Sequence, residues 1–127
     1  MSIDALREIL NIRLNLHAND DYATEECWKK ETSILSEDVN ATISFFEREC
    51  TDEEFYWLSE VFSIVSEKMQ SKELVQAMRA RLARVRRETY DQSSFKSEHM
   101  RKWVDYDEYI RSVGMEIDYA EGALNEE

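Results

Sequence analysis

Ile3, Leu6, Leu10 and Leu14 recur at intervals of three and four, and Ile9, Ile12 and Leu16 widen the stripe until the polar run from His17 to Asp21 ends it. The period predicts a first helix over about Asp4 to Leu16. A second helix is expected from about Tyr22 to Ser36, with Thr24, Trp28 and Leu35 on one line and Cys27 and Ile34 beside it. Asp38 stands where it can accept from the free amides that open a third helix, in which Val39, Ile43, Phe46 and Cys50 share a face.

Thr51 and Glu54 have capping-box spacing, and Asp52 and Glu53 suit the positive end of a helix dipole, so a fourth helix starts there. Placed at 100° per residue, Phe55, Trp57, Leu58, Val61, Phe62, Ile64, Val65 and Met69 cover about half its circumference, which predicts one long central helix. Gln70 and Ser71 form a short connection. Ser71 then caps a fifth helix with Leu74, Val75, Ala77, Met78, Leu82 and Val85 on its apolar face, and the pair is expected to form an αα-hairpin. The stretch from Thr89 to Ser97 breaks the period and predicts a loop, with a short helix from about Phe95 to Trp103. Tyr106, Tyr109, Ile110, Val113, Ile117, Ala120 and Leu124 then mark one face of a last helix.

The sum is an all-α single domain over residues 1–127, a helical bundle or short α-hairpin stack of about six helices. A length of 127 residues suits one core, and the absence of proline, with only Gly114 and Gly122 as glycines, removes the turn punctuation of β-rich folds. No apolar run approaches the roughly 20 residues needed to cross a bilayer, and Asp4 and Glu8 occupy the place of a signal peptide's basic and apolar regions. A cytoplasmic protein without a membrane role is expected. Cys27 and Cys50 form no metal-like spacing and are expected as reduced core thiols.

Net charge is −12, distributed as −10 over residues 1–78, +5 over 79–102 and −7 over 103–127. Such a field repels nucleic acid and anionic membranes and speeds association with basic partners. An acidic surface also serves solubility alone, so charge by itself establishes no partner. Arg79, Arg81, Arg84, Arg86 and Arg87 form the one basic feature, and on a helix Lys72, Arg79 and Arg86 stack in a column seven residues apart. Phosphate binding there would work against the overall field. The run is better read as complementing a helix C-terminus and the surrounding acidic helices, so no direct nucleic-acid partner is expected.

Candidate chemistry is sparse. His17 falls at a helix end and His99 in a polar stretch, and neither has the glutamate three residues before it that builds helical di-iron sites. There is no phosphate-cradling loop, and no carboxylate pair stands out as an acid-base couple. Neither enzymatic activity nor a cofactor or metal is expected. A helical hydrolase using paired carboxylates ranks third among functional readings.

Two surfaces have the composition of binding sites. Tyr56 falls with Ser59, Glu60, Ser63 and Glu67 opposite the apolar arc of the fourth helix, an aromatic with no evident core role. On the last helix Met115 and Tyr119 leave the apolar face beside Glu108 and Ser112, flanked by Glu116 and Asp118. Aromatic and thioether anchors among carboxylates suit a basic protein partner, although either anchor could instead pack on a neighbouring helix.

The segment Glu49 to Leu82, ECTDEEFYWLSEVFSIVSEKMQSKELVQAMRARL, resembles small all-α bacterial immunity proteins of polymorphic and contact-dependent growth inhibition toxins. The residues carrying the likeness are Cys50, Thr51, Glu53, Glu54, Phe55, Trp57 and Leu58, with Ser71, Lys72 and Glu73 opening the next helix. The resemblance implies a non-catalytic inhibitor that binds a cognate toxin domain, often a nuclease such as an RNase, and occludes its basic active-site groove. It carries over no binding residue, since immunity surfaces vary with their toxins. The alternative is an acidic adaptor or antirepressor that binds a basic DNA-binding protein.

Overall fold

The computed structural model describes residues 1–17 and 19–125, without the side chain of His99. Its helices are α1 (Ile3–Leu14), α2 (Asp21–Leu35), α3 (Val39–Arg48), α4 (Asp52–Leu58), α5 (Phe62–Met69), α6 (Lys72–Ala83), α7 (Glu98–Trp103) and α8 (Tyr106–Gly122). Short 3₁₀ turns occupy Ser59–Val61 and Gln92–Ser94. The chain is 75% helical with no strand among the described residues, an all-α single-domain fold, and no helix is long and apolar enough to cross a membrane.

Short polar side chains open the helices. Ser2, Asp20, Asp38, Ser71 and Asp105 each accept from an amide two or three residues on, and Thr51 with Glu54 closes the full capping box. At the end of α5, Gln70 adopts the left-handed conformation (φ 49°) usually left to glycine. Its side chain compensates: Nε2 donates to the Glu67 and Ala123 carbonyls, and Oε1 accepts from Asn125 N at 2.8 Å. One glutamine thus ties the C-terminal ends of α5 and α8 together.

The expected long fourth helix is broken. The Ser59 hydroxyl donates to the Tyr56 carbonyl at 2.6 Å, offering that carbonyl a side-chain partner in place of the regular ladder, and the chain tightens into a 3₁₀ turn before resuming as α5. The central role survives the break, since Phe55, Leu58, Val61, Phe62 and Val65 are all buried. Phe46, Phe55 and Phe62 form a tilted and edge-to-face cluster with centroids 5.1–5.7 Å apart. The expected αα-hairpin does not form, because α6 leaves α5 and packs on α3 and α8, while α5 packs on α8. Helix α2 lies outside this knot, against α1, the Ser59–Val61 turn and α5.

The arginine run is absorbed into the fold. Helix α6 ends at Ala83, so Arg86 lies beyond it and the column with Lys72 and Arg79 is not built. Arg79 pairs with Asp118 and Glu121 on α8, Arg84 donates to the Glu47 carbonyl, Arg86 lies 3.9 Å from Glu88 and Arg87 pairs with Asp107. Arg81 is buried under the Phe55 ring and donates to the Cys50 carbonyl at 2.9 Å and to Asp52 Oδ1 at 2.7 Å.

Candidate protein-binding groove

Five elements converge on a groove of about 270 Å³. Helix α4 supplies Tyr56 and Trp57, the 3₁₀ turn supplies Ser59 and Glu60, α1 supplies Arg13, α7 supplies Met100, and α8 supplies Arg111, Ser112, Met115 and Glu116. The break at Ser59 carries Glu60 into reach of α1, where Arg13 grips it through Nε at 3.0 Å and Nη2 at 2.7 Å. The same guanidinium lies 4.8 Å from the Trp57 ring centroid. A second, larger cavity of about 570 Å³ lies between α1, α2 and α7, and shares Arg13, Trp57 and Met100 with the groove.

Four residues assigned to two separate surfaces therefore meet in one place: Tyr56, Glu60, Met115 and Glu116. Glu108 stands at the edge, accepting from Arg111 Nη2 and from Ser112 Oγ, each at 2.7 Å. These bonds hold its carboxyl below the usual range. The remaining three fall elsewhere. Asp118 turns to the α6 side, 3.1 Å from Arg79, so Glu108, Glu116 and Asp118 do not form one acidic face. Glu67 is exposed on α5 away from the groove. Tyr119 is 57% exposed on α8 and does not line it.

Tyr56 is not the free aromatic that its helical face implies. Its ring is half-buried, packed against Trp57, Phe95 and Tyr109 with centroids 5.6–6.1 Å away. The loop before α7 delivers Phe95, a non-local cover that a single-helix projection cannot contain. Desolvation and the nearby Glu108 charge raise the Tyr56 phenol. Met115, by contrast, is exposed at 42% as expected.

Arg13, Met100 and Arg111 are groove residues that the sequence did not single out, whereas Ser112 was placed beside Met115. Arg13 had only a weak signal, a cation at the edge of an apolar stripe, and its partner Glu60 is 47 residues away.

The charges are uneven. Among the described residues the Glu116 side chain has no ion-pair or hydrogen-bond partner, and burial together with the Glu60 charge raises its carboxyl. On the far side of Glu60, α2 buries Glu31 completely, with neither carboxylate oxygen hydrogen-bonded. Desolvation, reinforced by Glu60 and opposed by Arg13, pushes Glu31 up to about 8. Glu60 thus acts on two neighbouring carboxyls, Glu31 and Glu116, while Arg13 is paired with Glu60 itself.

Cys27 and Cys50 are buried free thiols, both pushed up mainly by desolvation, and serve as core residues. Among the described residues, no three His, Cys, Asp or Glu side chains are placed to hold a metal ion. The arrangement offers a notched surface with an aromatic and thioether lining and a free carboxylate, suited to holding a cationic group. No protein-family model matches this chain, and neither a curated protein nor a solved structure matches it.

Proposed function

We propose that this chain is an immunity protein that binds and neutralises a cognate toxin domain, a basic nuclease whose active-site groove it occludes. The observation that carries the reading is the composition of the α8 surface: Met115 and Tyr119 stand exposed beside a groove whose Glu116 carboxylate has no partner among the described residues. Large side chains that bury area on contact, next to a charge with no internal partner, suit recognition of a basic protein. The net charge of −12 supplies long-range attraction for such a partner. The resemblance of the Glu49 to Leu82 segment to immunity proteins supplies the toxin as the class of partner.

The test is to express the C-terminal domain encoded by the gene directly preceding this one, where the reading expects a variable toxin domain, and to mix the two purified proteins. The expected result is a stable complex together with loss of the toxin's nuclease activity. A toxin that remains fully active at excess of this protein, with no complex by gel filtration, overturns the reading.

A further inference from the structure

The cations bordering the groove are already committed. Arg13 makes its bidentate contact with Glu60, and Arg111 with Glu108, which leaves Glu116 beside Glu60 with no positive charge of its own. The same site shows how a guanidinium is accommodated here, since Arg13 lies 4.8 Å from the Trp57 ring centroid while its fork meets the Glu60 carboxylate. A second guanidinium at Glu116 would repeat that arrangement one step further along the groove and ease the repulsion between Glu60 and Glu116.

We propose that the groove seats one arginine side chain of a basic partner protein, its guanidinium paired with Glu116 and its methylene stem laid between Met100 and Met115. The inference rests on the reading of this chain as a binder of a basic protein and names the contact that reading requires. Arginine fits better than lysine because its planar fork pairs bidentately with a carboxylate and because its weakly hydrated head tolerates a half-buried site. Its stem covers apolar surface while the charge stays at the carboxylate. Met115 is unbranched and exposed, and its sulfur accepts only a weak contact from Arg111 Nη1 at 3.6 Å, so it can turn from that contact to close over such a stem without moving the helix.

The experiment uses the full chain labelled at its methionine methyl groups, titrated by NMR with N-acetyl-arginine methylamide and separately with the neutral isostere N-acetyl-citrulline methylamide. The Met100 and Met115 signals should shift saturably with the arginine derivative and stay still with the citrulline one. Glu116→Gln should weaken the arginine response about fivefold, the scale of one ion pair. Glu73→Gln, which removes an equal charge on α6, should leave it unchanged, with circular dichroism confirming that both variants keep their helices. Equal shifts with both probes, or a Glu116→Gln response identical to the parent, overturn the proposal. A cognate toxin domain that binds parent and Glu116→Gln with equal affinity sinks this subsite and leaves the immunity reading standing. Arginine binding at the groove without toxin binding does the reverse.

Discussion

Along α2 the protein buries polar atoms that meet no partner, whereas between α4, α6 and α8 buried polar atoms are matched almost one for one. Trp28 Nε1, both oxygens of Glu31, Thr32 Oγ1 and Ser36 Oγ are all unpartnered, and only Arg81 Nε joins them from elsewhere among the described residues. In the knot, Ser66 Oγ donates to the Ala120 carbonyl, Tyr109 donates to the Asp52 carbonyl at 2.6 Å and Tyr90 to the Val104 carbonyl. Glu53 shows the contrast within one residue type. Like Glu31 it is a buried carboxylate, yet it accepts from Lys96 N at 2.8 Å, Ser97 N at 3.3 Å and Trp57 Nε1 at 3.5 Å.

Each orphaned polar group costs on the order of 1–3 kcal/mol. The layer formed by α2 is therefore held mostly by its apolar contacts, and it is the natural place for local opening. It also backs the Arg13–Glu60 wall of the groove. The knot, with its partnered polar groups and aromatic cluster, is the rigid frame that fixes α8.

The largest expected loss of stability lies in the knot. Phe55→Ala removes a ring that touches Phe46 and Phe62 and carries the Arg81 guanidinium, and should cost about 4 kcal/mol in urea unfolding. A loss under about 1 kcal/mol would show that the knot is not the stable half.

On α2 the sign should reverse. A Glu31 carboxyl raised to about 8 keeps its proton in the folded state, while the unfolded chain releases it near the ordinary value of 4.5. Its pH-dependent cost is therefore absent below about pH 4.5, grows up to about pH 8, and is flat above. Glu31→Gln, neutral throughout, should match the parent near pH 4.5 and exceed it by about 4.5 kcal/mol at pH 8.5. A stability difference independent of pH would place an unrecognised cation beside Glu31. A smaller matched pair sharpens the same contrast: Thr32→Val should gain about 1 kcal/mol by removing an unpartnered hydroxyl, whereas Ser66→Ala should lose about as much.

Much of the frame was legible because its signals are local. The caps at Asp38, Thr51 and Ser71 stand where the spacing put them, and the apolar faces of α6 and α8 hold apart from their ends. Glu31 and Arg81 were legible in principle. Each interrupts an apolar stripe at helical spacing, Glu31 between Cys27 and Leu35 and Arg81 between Met78 and Val85, and both are buried as that placement requires. The groove was only half legible. A projection finds Tyr56, Glu60, Met115 and Glu116 as outward-facing residues on two helices, but their meeting depends on the Ser59 hydroxyl breaking the long helix and on Arg13 reaching Glu60 across the fold. The hairpin expectation failed for a related reason, since a two-residue connection fixes where α6 begins and not which helix it packs on.

The smallest effect concerns the acidic face of α8, which splits into a side committed to the fold and a side left open. Asp118 meets Arg79 at 3.1 Å, but both side chains are largely in water, and Glu121 shares the same guanidinium at 3.2 Å. An exposed pair of this kind is worth about 0.5 kcal/mol or less, and the second acid can take over when the first is neutralised. Asp118→Asn should therefore shift stability by less than about 0.5 kcal/mol. Its effect on association with a basic partner should be equally slight, because the removed charge was already balanced by Arg79. Glu116→Gln removes a charge with no internal partner, so in stopped-flow binding it should slow association more than Asp118→Asn does, by an amount that shrinks as salt rises and the field is screened beyond about 8 Å. Two variants of equal formal charge with equal association rates would mean that only net charge steers the partner and that the open side of α8 holds no privileged position.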